Sequence, residues 1–173
     1  GCPSDPNKPN AGVCGCGLPD VSDGCLGLRA ALQHRYSFNG TGTTVTDSKG
    51  GSDGTVRNAQ LSGSGSVSLS GANQFVEMPT EILSTRTNAT LEAWVTWRGS
   101  SAWQRVFDCG NSVSNQGQTY LFLTASAGTF GGMRTAFALN GNTNQTSTTA
   151  PANLPRGGTH HVAVVVDDTG NTL

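Results

Sequence analysis

From residue 34 onward the chain is a succession of short runs rich in β-branched and aromatic residues, cut apart by glycines and turn residues. The runs are His34–Phe38, Thr55–Asn58, Ser66–Ser70, Gln74–Met78, Ala89–Trp97, Gln104–Cys109, Thr119–Thr124, Thr135–Leu139 and His160–Asp167. Gly50-Gly51, Gly71, Gly131-Gly132 and Gly157-Gly158 punctuate them. Such spacing predicts strands joined by tight turns and leaves no room for a long helix. Nine or so short strands point to two packed antiparallel sheets. Composition agrees: 24 glycines and only 12% charged residues supply few helix formers.

The pattern also assigns faces. In Ser66-Val-Ser-Leu-Ser70 the apolar side chains alternate with serines, which predicts a strand with one wet face. Val162-Ala-Val-Val-Val166 is apolar throughout and predicts a central or covered strand. Residues 140–153 are polar and rich in Thr and Asn, and read as an exposed loop. Leu26–Leu32 reads as one or two helical turns. Asp167-Asp-Thr-Gly170 reads as a hairpin turn, with Asn171–Leu173 starting the returning strand. A net charge of -1 offers no basic face for nucleic acid, and no run of eighteen apolar residues exists to span a bilayer. Beginning at Gly1-Cys2, the sequence reads as one whose natural start has been removed.

Cys2, Cys14, Cys16 and Cys25 crowd into a Pro- and Gly-rich stretch without periodicity, residues 1–27. This reads as a small segment stapled by disulfides, in an oxidising compartment. Cys14 and Cys16 are too close to bridge easily, so each is expected to pair with Cys2 or Cys25. A four-thiolate zinc site is the competing reading, and its usual pair spacing is absent. Cys109 stands apart. On a strand it shares a face with Phe107, which predicts a small buried hydrophobe; no local signature ties it to His34, His160 or His161 as a catalytic thiol.

Three stretches together carry a resemblance: Leu32-Gln-His-Arg-Tyr-Ser-Phe-Asn-Gly40, Thr46-Asp-Ser-Lys-Gly-Gly-Ser-Asp-Gly-Thr-Val56 and Leu91-Glu-Ala-Trp-Val95. With Arg105-Val-Phe-Asp108 and Gly158-Thr-His-His-Val-Ala-Val164 in the same order, residues 30–173 resemble laminin-G-like domains of the concanavalin A-like lectin/glucanase superfamily. The resemblance implies a jelly roll of one concave and one convex sheet over residues 28–173. It also implies further strands after the last hairpin, so the sandwich is expected to lack its final strands. The segment Cys2-Pro-Ser-Asp-Pro-Asn-Lys8 with Gly12-Val-Cys-Gly-Cys-Gly17 resembles a cysteine motif of bacterial surface and secreted proteins.

The superfamily's glucanases need two carboxylates in reach of one bond. Glu77 and Glu81 are separated by Pro79, and Glu92 has Thr90, Trp94 and Thr96 where a same-face partner would stand. No Gly-x-Ser-x-Gly elbow, HExxH zinc motif or phosphate-binding loop occurs, and the chain is read as non-catalytic. Asp47 and Asp53 flank a Gly-rich turn whose carbonyls would complete an oxygen cage for calcium; the alternative is that they merely start and close the turn. Trp103, following a loop, is the expected sugar-stacking residue, with Asn142 and Asn144 adding hydrogen bonds; Trp94 is expected in the core, on the face opposite Trp97. Asn39, Asn88 and Asn144 each head an Asn-x-Thr sequon.

The expected function is a non-catalytic extracellular or cell-surface adhesion module of bacterial type, recognising glycan or extracellular protein within a larger protein. Two rivals are a structural subunit completed by a strand from a second chain or fragment, and an accessory domain of a secreted hydrolase.

Overall fold

A computed structural model describes residues 30–99, 101–114 and 116–167, together with the strand backbone at 20–21, 24–25 and 170–172. Cys2, Cys14 and Cys16, the side chain of Cys25 and the 27/28 boundary lie outside the described residues. So does most of the Leu26–Leu32 turn, of which residues 30 and 31 have helical geometry. The fold is all-β and antiparallel, as the run-and-turn pattern requires. It divides into two compact units, residues 1–82 and 83–173.

The first unit is built from very short strands. β1 (Asp20–Val21) pairs antiparallel with β2 (Gly24–Cys25). β3 (Thr41–Gly42) pairs with β6 (Leu61–Ser62), and β5 (Gly54–Arg57) lies between β4 (Thr44–Val45) and β7 (Phe75–Glu77). Val45, Val56 and Leu61 are its buried centre, with Tyr36, Phe38, Ala59, Val67 and Val76 packed around them. Arg57 Nε donates to Glu77 Oε2 at 2.7 Å across β5 and β7, which gives the acid a structural partner. His34–Phe38 contributes one bridge, Tyr36 to Asp47, rather than a strand. Ser66–Ser70 is not a strand either: Val67 does face the core, but no hydrogen-bonding ladder meets the segment. Alternation alone sets a face, and a strand also needs a neighbour.

Two sheets of the second unit enclose a common core. β8 (Ala89–Thr96), β13 (Thr159–Asp167) and β14 (Gly170–Thr172) form one, with β13 in the middle, as its apolar run predicts. Asp167 pairs with Gly170, so the expected hairpin return is present. β9 (Arg105–Val113), β10 (Gln116–Thr124), β11 (Arg134–Ala138) and β12 (Thr146–Thr149) form the other, in the order β12-β11-β10-β9. Leu121 and Leu123 from the second sheet meet Val162 and Val164 from the first, with Leu91, Ala93, Val95, Phe107 and Phe137 packed against them. Each such buried aliphatic side chain contributes about 1.5–3 kcal/mol.

Three details of this unit depart from expectation. The 140–153 stretch is not all loop: a 3-10 turn (Asn142–Asn144) leads into β12, whose threonines pair with β11. Trp94 is outside the core, 74% exposed, because Leu91, Ala93 and Val95 already take the inward positions of β8. Its indole lies 5.1 Å from the His161 ring, and His161 Nε2 is 3.3 Å from Glu92 Oε2 on the same outward face. Trp97 is buried, with Nε1 donating to Gln104 Oε1 at 2.9 Å. Cys109 is free and only partly buried. It stands opposite Leu121 and shares the face of Phe107 as expected. Burial, with the charge of Asp108 second, pushes its thiol pKa up and keeps it protonated. We expect disulfide exchange with an aromatic disulfide reagent at pH 8 to be at least tenfold slower in the folded chain than in urea. The Cys109 signal is read as the difference between this chain and its Cys109→Ser variant; equal rates in the two conditions would refute the assignment.

Candidate functional site: a cleft on the four-stranded sheet

The antiparallel register arranges the outward face of the four-stranded sheet in rows. Arg105, Thr124, Arg134 and Thr149 form one row across β9, β10, β11 and β12. Asp108, Phe122, Ala136 and Ser147 form the next, and Gly110, Tyr120 and Ala138 a third. A cleft of about 730 Å³ opens on this face over β9 and β10, where Gly110 and Gly117 contribute no side chains. Its lining includes Trp103, Arg105, Tyr120, Phe130, Arg134 and Asn142.

Aromatic rings make one wall. Phe130 lies in a 3-10 turn (Gly128–Phe130) and is 65% exposed; Trp103, 40% exposed, meets its ring edge-on at 5.8 Å. Trp103 is held from below by Phe122 at 6.4 Å, which in turn stacks on Tyr120 at 5.9 Å. Two guanidiniums lie against these rings, Arg105 3.9 Å from the Phe122 centroid and Arg134 5.3 Å from that of Phe130. Cation–π contact and hydrogen bonds fix both. Arg134 donates to Thr149 Oγ1 at 2.8 Å and Ser147 Oγ at 2.7 Å, and Arg105 Nε donates to Asp108 Oδ2 at 3.2 Å.

Amides make the other end. Tyr120 Oη lies 2.9 Å from Asn142 Oδ1 and 2.7 Å from Gln145 Oε1. A phenol has one proton, so one of these amides, turned over, donates to the phenol while the other accepts from it. Of the residues expected at a ligand site, the structure therefore brings Trp103 and Asn142 into one cleft. Asn144 shares the 3-10 turn with Asn142 but is not part of the lining. Phe130, Tyr120, Arg105, Arg134 and Gln145 escape the sequence reading. Phe130 alone carried a local signal, a large apolar residue set among Gly128, Gly131 and Gly132 in a turn that gives it no core to join.

Asp47 and Asp53 belong to the first unit. Asp47 is buried, and its carboxylate collects five donors. Backbone N–H groups of Arg35 (2.9 Å), Lys49 and Gly50 (both 3.0 Å) reach Oδ1, while Ser52 N–H (3.1 Å) and His34 Nδ1 (2.7 Å) reach Oδ2. Asp53 Oδ1 accepts from the Asp47 N–H at 2.8 Å. A Cβ at Gly50 would stand 2.6 Å from the Gln33 carbonyl oxygen, so the turn closes this tightly only with glycine there. Burial opposes the Asp47 charge, but the donors of Arg35, Gly50, His34 and Lys49 hold its carboxyl well below the usual carboxylate range. Burial, then the charges of Asp47 and Asp53, push the Tyr36 phenol up to about 12. With five donors on one carboxylate, this arrangement has no lone pairs to spare for a cation and does not fit a calcium shell. Among the described residues no group of three or more His, Cys, Asp or Glu could hold a metal.

A comparison with protein-family models matches residues 70–173 to a laminin-G-type model, Laminin_G_3, described as the concanavalin A-like lectin/glucanases superfamily. The chain belongs to this superfamily. The match takes in Leu91–Val95, Arg105–Asp108 and Gly158–Val164 as well as every residue lining the cleft. The stretches 32–40 and 46–56 lie before the matched residues. No curated protein and no solved structure matches the chain. Superfamily membership supports a carbohydrate- or protein-binding module in general. No helix of the described residues is long and apolar enough to cross a membrane.

Proposed function

We propose that the chain is a non-catalytic, extracellular binding module of a larger bacterial secreted or surface protein, and that the cleft on the four-stranded sheet holds a glycan. The observation that carries this reading is the pairing, in one cleft, of exposed Trp103 and Phe130 with the Tyr120–Asn142–Gln145 hydrogen-bonding group. A sugar ring offers apolar C–H faces and polar edges, and this lining complements both. Asp108 is the one carboxylate lining the cleft, whereas glycoside hydrolysis of the usual kind takes two.

Calorimetric titration of the purified chain with oligosaccharides found on a glycan array tests the reading. Trp103→Ala and Phe130→Ala should each weaken binding at least tenfold, about 1.4 kcal/mol. Trp94→Ala, on the other sheet, should leave it unchanged. Equal losses from all three substitutions, or none, would sink the assignment.

A second reading, strand addition from another chain, is favoured by β8. Its eight residues have β13 as their one ladder neighbour among the described residues, which leaves a long edge open to β-augmentation. A native mass spectrum showing a second polypeptide bound would bring it forward.

A further inference from the structure

Resting on the glycan reading, we infer that the cleft selects sugars that carry an anionic group, a carboxylate or a sulfate, and that Arg134 is the residue that reads it, with Arg105 as its second arm. The argument starts from charge. Arg105, Arg134 and Asp108 are the charged side chains of the lining, and Asp108 is paired with Arg105. Arg134 has no carboxylate partner among the described residues: its hydrogen bonds go to the hydroxyls of Thr149 and Ser147, and its plane lies against Phe130. Hydroxyls and a ring hold the guanidinium in place without neutralising it.

The fixed, un-neutralised guanidinium is available to a ligand. A surface arginine ordinarily swings free in water and gives up rotamer entropy when it binds. Here two side-chain hydrogen bonds and a ring contact have already fixed the group, so an arriving anion meets a preorganised fork at reduced entropic cost. Arg105 and Arg134 stand on either side of Thr124 in the register, two strand spacings or about 10 Å apart at Cα. The positive end of the cleft therefore lies beside Trp103 and Phe130, and the amide end beside Tyr120. One pyranose stacked on the aromatic wall would place a carboxylate or sulfate at the arginines and its hydroxyls toward Asn142 and Gln145.

The test is a calorimetric panel of oligogalacturonate, alginate and chondroitin sulfate oligosaccharides. Each is run beside its carboxyl-reduced or desulfated counterpart, with neutral cello- and xylo-oligosaccharides as a third set. At least one acidic ligand should bind tenfold or more tightly than its neutralised counterpart, and raising salt from 50 to 200 mM should weaken it several-fold. Loss on carboxyl reduction identifies the carboxylate as the recognised group, and loss on desulfation identifies the sulfate. Arg134→Gln should lower affinity for that ligand at least tenfold, while Asp108→Asn, which removes the opposing charge and leaves both arginines, should tighten it several-fold. Asp108→Asn guards against a merely misfolded Arg134 variant, because a gain of binding cannot come from unfolding. Binding of neutral sugars with no preference for acidic ones would overturn this inference and leave the glycan reading standing. Binding of neither class would overturn both.

Discussion

Asp47→Ala should cost the chain about 3 kcal/mol of stability, the largest loss expected from any single change in residues 30–82. Five donors converge on that carboxylate, and four of them are backbone N–H groups of Arg35, Lys49, Gly50 and Ser52. Alanine would leave these groups facing a methyl, and a buried N–H without an acceptor is penalised far more than the lost bond alone suggests. Asp47→Asn keeps one acceptor oxygen and should recover part of the loss. The pH dependence has a definite sign. The folded-state pKa of Asp47 is depressed, so its contribution is fully present above the unfolded value of about 4 and is lost as pH falls below that. Urea titrations followed by far-ultraviolet circular dichroism should show a constant gap between the parent chain and Asp47→Ala from pH 7 down to about 5. The gap should narrow as the pH falls further. A gap that is small at pH 7, or widens in acid, would mean the carboxylate is not the hub of this turn.

Gly132→Ala should be the most damaging change in residues 83–173. A Cβ at this position would stand 2.0 Å from the Ala150 carbonyl oxygen and 2.6 Å from that of Ala152, both backbone atoms that cannot swing away. The same few residues hold the end of the sheet. Met133 N–H donates to Ala152 O and Ala150 N–H to Met133 O, both at 2.8 Å, while Ala127 N–H reaches Gly132 O at 2.9 Å. Relieving the clash must open at least one of these bonds, for a loss of about 3 kcal/mol or more. Because Phe130 and Arg134 lie on either side of Gly132 in sequence, ligand binding should fall together with the melting temperature. Gly131→Ala offers the contrast within the same turn: no atom lies within 4 Å of its Cβ, so any cost there comes from its positive φ of 85° alone. Similar melting temperatures for Gly132→Ala and the parent would refute the packing argument.

How much of this could be read from residues alone depends on the range of the interactions involved. The runs 89–97, 119–124 and 160–167 announced themselves because period-two patterning is local, and the structure places strands at Ala89–Thr96, Gln116–Thr124 and Thr159–Asp167. Thr146–Thr149 and the two-residue strands near Thr41 and Thr44 did not, since a polar threonine segment becomes a strand only when a neighbour supplies its ladder. Trp94 shows the opposite error. Its place in the Leu91–Val95 motif suggested burial, but Leu91, Ala93 and Val95 had already claimed the inward face. The cleft was half visible. Trp103 and Asn142 stood out by residue type and loop context, whereas Arg105 and Arg134 meet only through the register of three strands, with Thr124 between them. No spacing within a single segment could reveal that pair.

The position of the tryptophans has an optical consequence. All three fall between residues 94 and 103, so the indoles all belong to the unit of residues 83–173. Within that stretch they occupy three settings: Trp94 in open solvent against an imidazole, Trp103 on the wall of the cleft, and Trp97 buried with its N–H bonded to Gln104. The chain thus carries separate built-in light sources for its surface, its candidate binding site and its interior, and single Trp→Phe replacements would let each be viewed alone.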